Sequence, residues 1–163
     1  MFIEISENST DFTDDDIINE AITFMLAGQD SVGAGIAFTL FYLAKHVEIQ
    51  MKVIQEIDSI YERNSNLSIT ELNDMIFLEQ CLKESLRLAP SVPIISRVLT
   101  EDVVLGFKFA ILEMKVIIST ILRYYKISLA PPHENLTFSY KTTLKAKDGI
   151  WLCLKPRHKG MSI

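Results

Sequence analysis

The chain is poor in cysteine: Cys81 and Cys153 are its only two, far apart, with no further cysteine or histidine at metal-ligand spacing. That excludes a disulfide framework and a zinc site, and it fits a reducing compartment. Basic charge is also scarce. Sixteen Lys and Arg stand against 21 Asp and Glu, for a net charge of -5, and they are dispersed rather than clustered. Without a basic stripe, nucleic acid is not an expected partner. Long apolar runs are missing too: the longest without a charge, Val32 to Ala44, falls short of the roughly 20 residues a bilayer span needs, so no membrane span is expected. The opening Met1-Phe-Ile-Glu-Ile-Ser-Glu7 lacks the basic start and small-residue cleavage site of a signal peptide. No internal repeat and no low-complexity segment is present.

What the chain does have is apolar material, 48% hydrophobic residues and a mean hydropathy of +0.22 in 163 residues, enough for one domain with a core. Thr13 ahead of Asp14, Asp15 and Asp16 is a helix start, because a hydroxyl caps free amides and acids suit the positive end of the helix dipole. The helix it opens is expected to run to His46. A second, amphipathic helix is read over Val47 to Tyr61 from apolar residues every three or four positions. Ser68-Ile-Thr-Glu71 reads as a capping box on a short helix, and a third long helix, Ile76 to Leu88, stops ahead of Pro90. Short strands are expected between Ile94 and Leu105, and a helix from Lys108 to about Tyr125 ended by Pro131-Pro132. Asp148-Gly149 between strand formers predicts a terminal hairpin. The fold class is mainly α with a small β component.

The unusual stretch is Thr23 to Ser31. It is apolar on nearly every side, yet Gly28, Asp30 and Ser31 put a carboxylate and a hydroxyl at its centre. Burying an acid without a partner is costly, so the stretch is read as a buried helix lining a cavity, with small Ala27 and Gly28 letting something approach the backbone. The alternative at even weight is an Asp30 paired with a neighbouring base. Glu84 and Arg87 sit three apart on one helical face, ordinarily the mark of a surface ion pair. His46, His133 and His158 read as a helix-end cation and two linker or tail residues, not ligands.

Taken together, Ala27-Gly28-Gln29-Asp30-Ser31, the Glu84-x-x-Arg87 pair with Leu88-Ala-Pro-Ser-Val-Pro-Ile-Ile-Ser-Arg97 behind it, and Phe109-Ala-Ile-Leu-Glu-Met-Lys115 resemble the cytochrome P-450 superfamily, closest to its family 4. Leu154-Lys-Pro-Arg157 is similar to that family's closing hairpin. The resemblance implies a partial cytochrome P-450 fold with the I, J, K and L helices, and the chemistry of a haem-thiolate monooxygenase. Such an enzyme is an oxidoreductase that inserts one atom of dioxygen into a small apolar substrate. It draws electrons from NADPH-cytochrome reductase at the endoplasmic reticulum membrane. It also implies that Asp30 and Ser31 relay protons to iron-bound oxygen, that Gly28 makes room for oxygen and substrate, and that Arg97 holds a haem propionate. Glu84 and Arg87 become a buried structural pair of the haem-side core. Ala27 stands where many family 4 members carry a glutamate that esterifies the haem, so covalent attachment is not expected.

The family's iron ligand is the cysteine of a Phe-x-x-Gly-x-Arg-x-Cys-x-Gly loop directly before the L helix. This sequence has no such loop and passes from Gly106 into Phe107-Lys108 as though a block had been removed. Cys81 and Cys153 read as small buried residues rather than substitutes. The expectation is a single incomplete domain over residues 1–163 that lacks the part preceding the I helix, including the membrane anchor. It is expected not to carry out the family reaction as written. A non-catalytic helical interaction protein and an incomplete gene product are the alternatives. The uncovered apolar first helix is expected to drive self-association.

Overall fold

A computed structural model of the protein describes residues 13–94, 108–140 and 143–157. Five helices form most of it: α1 (Asp14–Lys45), α2 (Val47–Arg63), α3 (Ile69–Asp74), α4 (Ile76–Leu88) and α5 (Lys108–Tyr124). Four short strands follow, β1 (Tyr125–Leu129), β2 (Phe138–Tyr140), β3 (Leu144–Ala146) and β4 (Leu152–Pro156). The expected strands between Ile94 and Leu105 lie, from Ile95 on, outside the described residues.

Local chemistry sets the helix starts. At α1 the Thr13 side chain accepts from Asp16 N at 3.3 Å while Asp16 Oδ2 accepts from Thr13 N at 2.8 Å, a reciprocal capping box. Ser68 and Glu71 do the same at α3, and the Ser68 hydroxyl, the Asn64 side chain and the Ser68 amide hold the Glu71 carboxyl down at about 2. The N-cap of α4 is Met75, which has no side-chain cap to offer. The deficit is met from a neighbouring helix, since the Glu56 carboxylate of α2 accepts from Phe77 N at 2.7 Å and Leu78 N at 2.8 Å.

Amphipathic stripes of α1, α2, α4 and α5 close over one core in which Leu43, Ile57, Met75, Leu82, Ile118 and Leu122 are buried. A smaller cluster around Phe38, Ala89 and Leu144 ties the β2–β3 pair to α1, with Phe38 and Phe138 edge to face at 5.7 Å between ring centroids. Strand β1 pairs antiparallel with β4, and β2 antiparallel with β3. The terminal hairpin therefore departs from expectation. Asp148-Gly149 is a turn, with Gly149 at φ 77, but it joins β3 of one sheet to β4 of the other rather than two paired strands. Also unforeseen was β1, which follows α5 without a break ahead of the Pro131-Pro132 pair that was expected to end the helix.

Two polar side chains hold this frame from inside. Fully buried Gln50 of α2 donates to Leu43 O at 3.0 Å and Ile127 O at 2.9 Å and accepts from Ile127 N at 3.0 Å. Its carboxamide thus occupies the edge of β1 that faces away from β4. Arg157, just past β4, donates to Leu122 O at 2.7 Å at the end of α5 and pairs with Asp58 of α2 at 2.6 Å.

Against the expected burial, α1 divides in two. From Val32 onward it is packed into the core, whereas every residue from Ala21 to Asp30 is exposed. The stretch read as buried all round is therefore exposed, because no described element lies over its first half.

Candidate functional site

Asp30 sits at the rim of an open groove of ≈ 710 Å³ between α1 and the β2–β3 region, with Leu26, Ala34 and Phe38 on one wall and Leu144, Ala146 and Ile150 on the other. Thr143 Oγ1 donates to Asp30 Oδ2 at 2.6 Å, and Lys145 Nζ lies 3.1 Å from Oδ1. The Thr143 hydroxyl, and after it Lys145, hold the Asp30 carboxyl below the ordinary carboxylate value. Of the two readings of this acid, pairing with a base is the arrangement observed. The Ser31 hydroxyl bonds back to Gly28 O at 3.3 Å, as a serine in a helix does when no other acceptor competes. Asp30 and Ser31 face different cavities, however. Ala27 is exposed, and a Cβ on Gly28 would meet nothing within 4 Å.

Ser31 lines a second cleft of ≈ 330 Å³ between α1, the end of α4 and α5, together with Val32, Leu86, Ser91, Ala110 and Met114. Just beyond it α1 and α5 touch. A Cβ on Gly35 would stand 2.8 Å from Met114 Sδ, so any other residue there would push the Met114 thioether aside. Ser91 Oγ is buried with no hydrogen-bond partner, which leaves the cleft one unsatisfied hydroxyl in a wall that, apart from the two serines, is apolar.

Glu84 and Arg87 do meet. Arg87 Nε donates to Glu84 Oε2 and Nη2 to Oε1, both at 2.7 Å, a two-pronged pair in which Arg87 lowers the Glu84 carboxyl and Glu84 raises the guanidinium. The burial that the resemblance implies for a complete relative is not found in this chain: the pair is solvated, with side chains 55% and 67% exposed, because nothing described packs over this face of α4. Arg97 lies outside the described residues.

Sequence reasoning gave no role to Lys115, which has no exposed surface at all. Its Nζ donates to Leu72 O at 2.8 Å and to Glu79 Oε2 at 2.5 Å, while Lys83 holds the other Glu79 oxygen at 2.7 Å. The Glu79 to Lys83 spacing was visible in the sequence; a lysine inside an apolar helix carried no signal of what it would reach.

Neither cysteine lines the cleft between α1 and α5. Cys81 is half-buried beside Tyr42, Phe77 and Ser85 in a third cavity of ≈ 370 Å³, where burial, and then the Glu56 charge, push its thiol up to about 11. Cys153 is exposed on β4, a correction to its reading as buried. Among the described residues no group of His, Cys, Asp and Glu could hold a metal ion.

The cytochrome P450 family model matches residues 1–106, well over half the chain. This chain belongs to the cytochrome P450 family. Among curated proteins, the probable cytochrome P450 4aa1 of Drosophila melanogaster is 35% identical over 216 aligned positions, covering 95% of this chain and 42% of the relative. Cytochrome P450 4c3 of the same organism is 32% identical over 96% of this chain and 41% of its own length, and human cytochrome P450 4F11 is 27% identical over the same shares. This chain therefore spans about two fifths of the length of these relatives. An alignment of 216 positions also exceeds the 163 residues available, so the relative carries residues with no counterpart here. A crystal structure of the cytochrome P450 CYP102L1 superposes with a TM-score of 0.77 over 89% of this chain and 46% of that one, at 20% identity, which establishes a partial P450 fold.

The family implies haem. Around the cleft between α1 and α5 the described side chains offer an apolar wall, two hydroxyls and the Met114 thioether, but no thiolate and no imidazole. A thiolate-ligated haem does not fit this set of donors.

Proposed function

We propose that this chain is a portion of a family 4 haem-thiolate monooxygenase from which a block between Gly106 and Phe107 is missing, and that in this form it holds no thiolate-ligated haem. The observation that carries the reading is the mismatch at one place. The chain has a partial P450 fold, yet the cleft between α1, the end of α4 and α5 has no thiolate donor, and both cysteines stand elsewhere. The family match ends at residue 106, beside the same junction.

With that block present, the protein is expected to insert an oxygen atom into an apolar substrate, taking electrons from an NADPH-dependent reductase at the endoplasmic reticulum. Ser31 would then border the cofactor, and Asp30 would exchange protons with solvent at the groove rim. In the chain as it stands, Asp30 serves a different purpose: it anchors Thr143 and Lys145 and so holds the β2–β3 pair against α1. A second reading, a non-catalytic protein that works by association, is favoured by the exposed first half of α1.

The test is the spectrum of purified protein loaded with haem, reduced and exposed to carbon monoxide. No band at the red-shifted position typical of thiolate ligation is expected. Such a band, lost in Cys81→Ala or Cys153→Ser, would overturn the proposal. Sequencing transcripts across the codons for Gly106 and Phe107 separates an excised exon from a continuous gene.

A further inference from the structure

Apart from the cleft between α1 and α5, the end of α1 and one face of α4 enclose the ≈ 370 Å³ cavity beside Cys81. Leu43, Ile49, Phe77 and Leu88 make much of its wall apolar. What marks it is a polar atom inside, not an uncovered face. Ser85 is 2% exposed and its Oγ has no hydrogen-bond partner, although a serine in a helix can ordinarily bond back to a carbonyl one turn earlier. Thr39 of α1, which lines the same cavity, is 1% exposed, and its proton is committed to Gly35 O at 2.8 Å. Its oxygen is left to accept, while the Ser85 hydroxyl is free to donate. Charge is scarce by comparison. Among the residues lining the cavity there is no lysine or arginine, and Glu84 at its mouth already holds Arg87. A carboxylate or phosphate would meet no fixed counter-charge there, and an ammonium no free acid.

We propose that this cavity binds a small uncharged molecule of the phenol class, one hydroxyl on a compact apolar ring. The ligand hydroxyl accepts from Ser85 Oγ and donates to Thr39 Oγ1, and the ring lies among the apolar wall residues. A buried hydroxyl left unpaired is costly, and the ligand relieves that cost at Ser85. Two of the wall residues, Tyr42 and Phe77, are aromatic, which favours a ring over an alkyl chain. Size fits as well, since ≈ 370 Å³ lies at the lower end of the roughly 300–1,000 Å³ of small-molecule sites. The burial that raises the Cys81 thiol reports the same low polarity and disfavours a charged ligand.

The test is isothermal titration calorimetry of the full chain with 4-ethylphenol, with ethylbenzene, which lacks the hydroxyl, and with 4-ethylbenzoate, which is charged. Saturable binding of one 4-ethylphenol per chain is expected, with the other two at least about fivefold weaker, as for loss of one neutral hydrogen bond. Ser85→Ala should weaken 4-ethylphenol by the same factor and leave ethylbenzene unchanged. Because that hydroxyl is unsatisfied in the free chain, the variant should keep the parent circular dichroism spectrum. Location is read at Cys81 in a Cys153→Ser background, where saturating 4-ethylphenol should slow alkylation by N-ethylmaleimide several-fold. The ligand comparison and the alkylation keep Ser85 in place, so they decide even if Ser85→Ala misfolds. Absence of saturable binding, equal affinity for ethylbenzene, unchanged affinity in a folded Ser85→Ala, or alkylation of Cys81 at its free rate would each overturn the proposal. A cavity that takes only water gives the first of these results. None of these readouts involves haem, so they are independent of the spectral test above.

Discussion

Replacing Gln50 by leucine tests whether the frame is held by a side-chain amide rather than by apolar packing alone. The exchange keeps most of the volume but removes one acceptor and two donated hydrogen bonds, leaving Ile127 N, Ile127 O and Leu43 O facing a hydrocarbon. Each buried polar group left unpaired costs about 1–3 kcal/mol. Carbonyls are at the low end, so the three together come to roughly 4–5 kcal/mol. Leucine returns about 1–2 kcal/mol through its apolar surface, and the net loss is about 3 kcal/mol. That is a large part of the 5–15 kcal/mol by which domains are ordinarily stable. The assay is urea unfolding followed by circular dichroism at low protein concentration, where the midpoint should fall with the slope unchanged. Hydrogen exchange at the Ile127 amide should accelerate more than at its neighbours. A loss below about 1 kcal/mol, with Ile127 still protected, would mean that water or a shifted backbone satisfies these groups and that the amide is dispensable.

The Glu79 carboxyl is held below its ordinary 4.5 chiefly by its hydrogen bond from Lys115 and then by Lys83. A depressed folded value contributes stability that is present above pH 4.5 and is lost as pH falls through the folded value, so the urea midpoint should drop on acidification below about 4.5. Lys115→Met should lower stability at pH 7 and flatten that acid limb; an acid limb as steep as in the parent would refute the link. Glu84→Gln and Arg87→Gln, at a solvated pair, should leave unfolding at neutral pH almost unchanged, and the double variant should show little coupling. A strongly destabilised single variant would show that this face of α4 is covered in solution.

Periodicity and end signals made the helices legible. Helix α4 begins and ends where its pattern and Pro90 place it, and the Thr13 and Ser68 caps form as their spacing requires. The same signals say which face of a helix is apolar, not whether anything lies over it. That is why Ile22 and Met25 were read as buried, and why Glu84 and Arg87 were expected to be so in a complete relative. Strand β1 was lost between an apolar helix and a Pro-Pro stop, since Tyr125 to Leu129 suits either state without knowledge of β4. The partners of Asp30 and Lys115 come from segments distant in sequence, and spacing carries no information about such pairs.

The contacts that Arg157 makes with α2 and with the end of α5 have a consequence for how the molecule comes together. Asp58 and Arg157 are 99 positions apart, and Gln50 and Ile127 are 77 apart. Loops of that size must close before either contact contributes anything, so the slow step should be recruitment of the last strand rather than helix formation. During synthesis, β1 leaves the ribosome well before β4 can reach it. In that interval the edge of β1 that β4 will cover is open to any strand nearby, and the nascent chain is exposed to mispairing until β4 arrives.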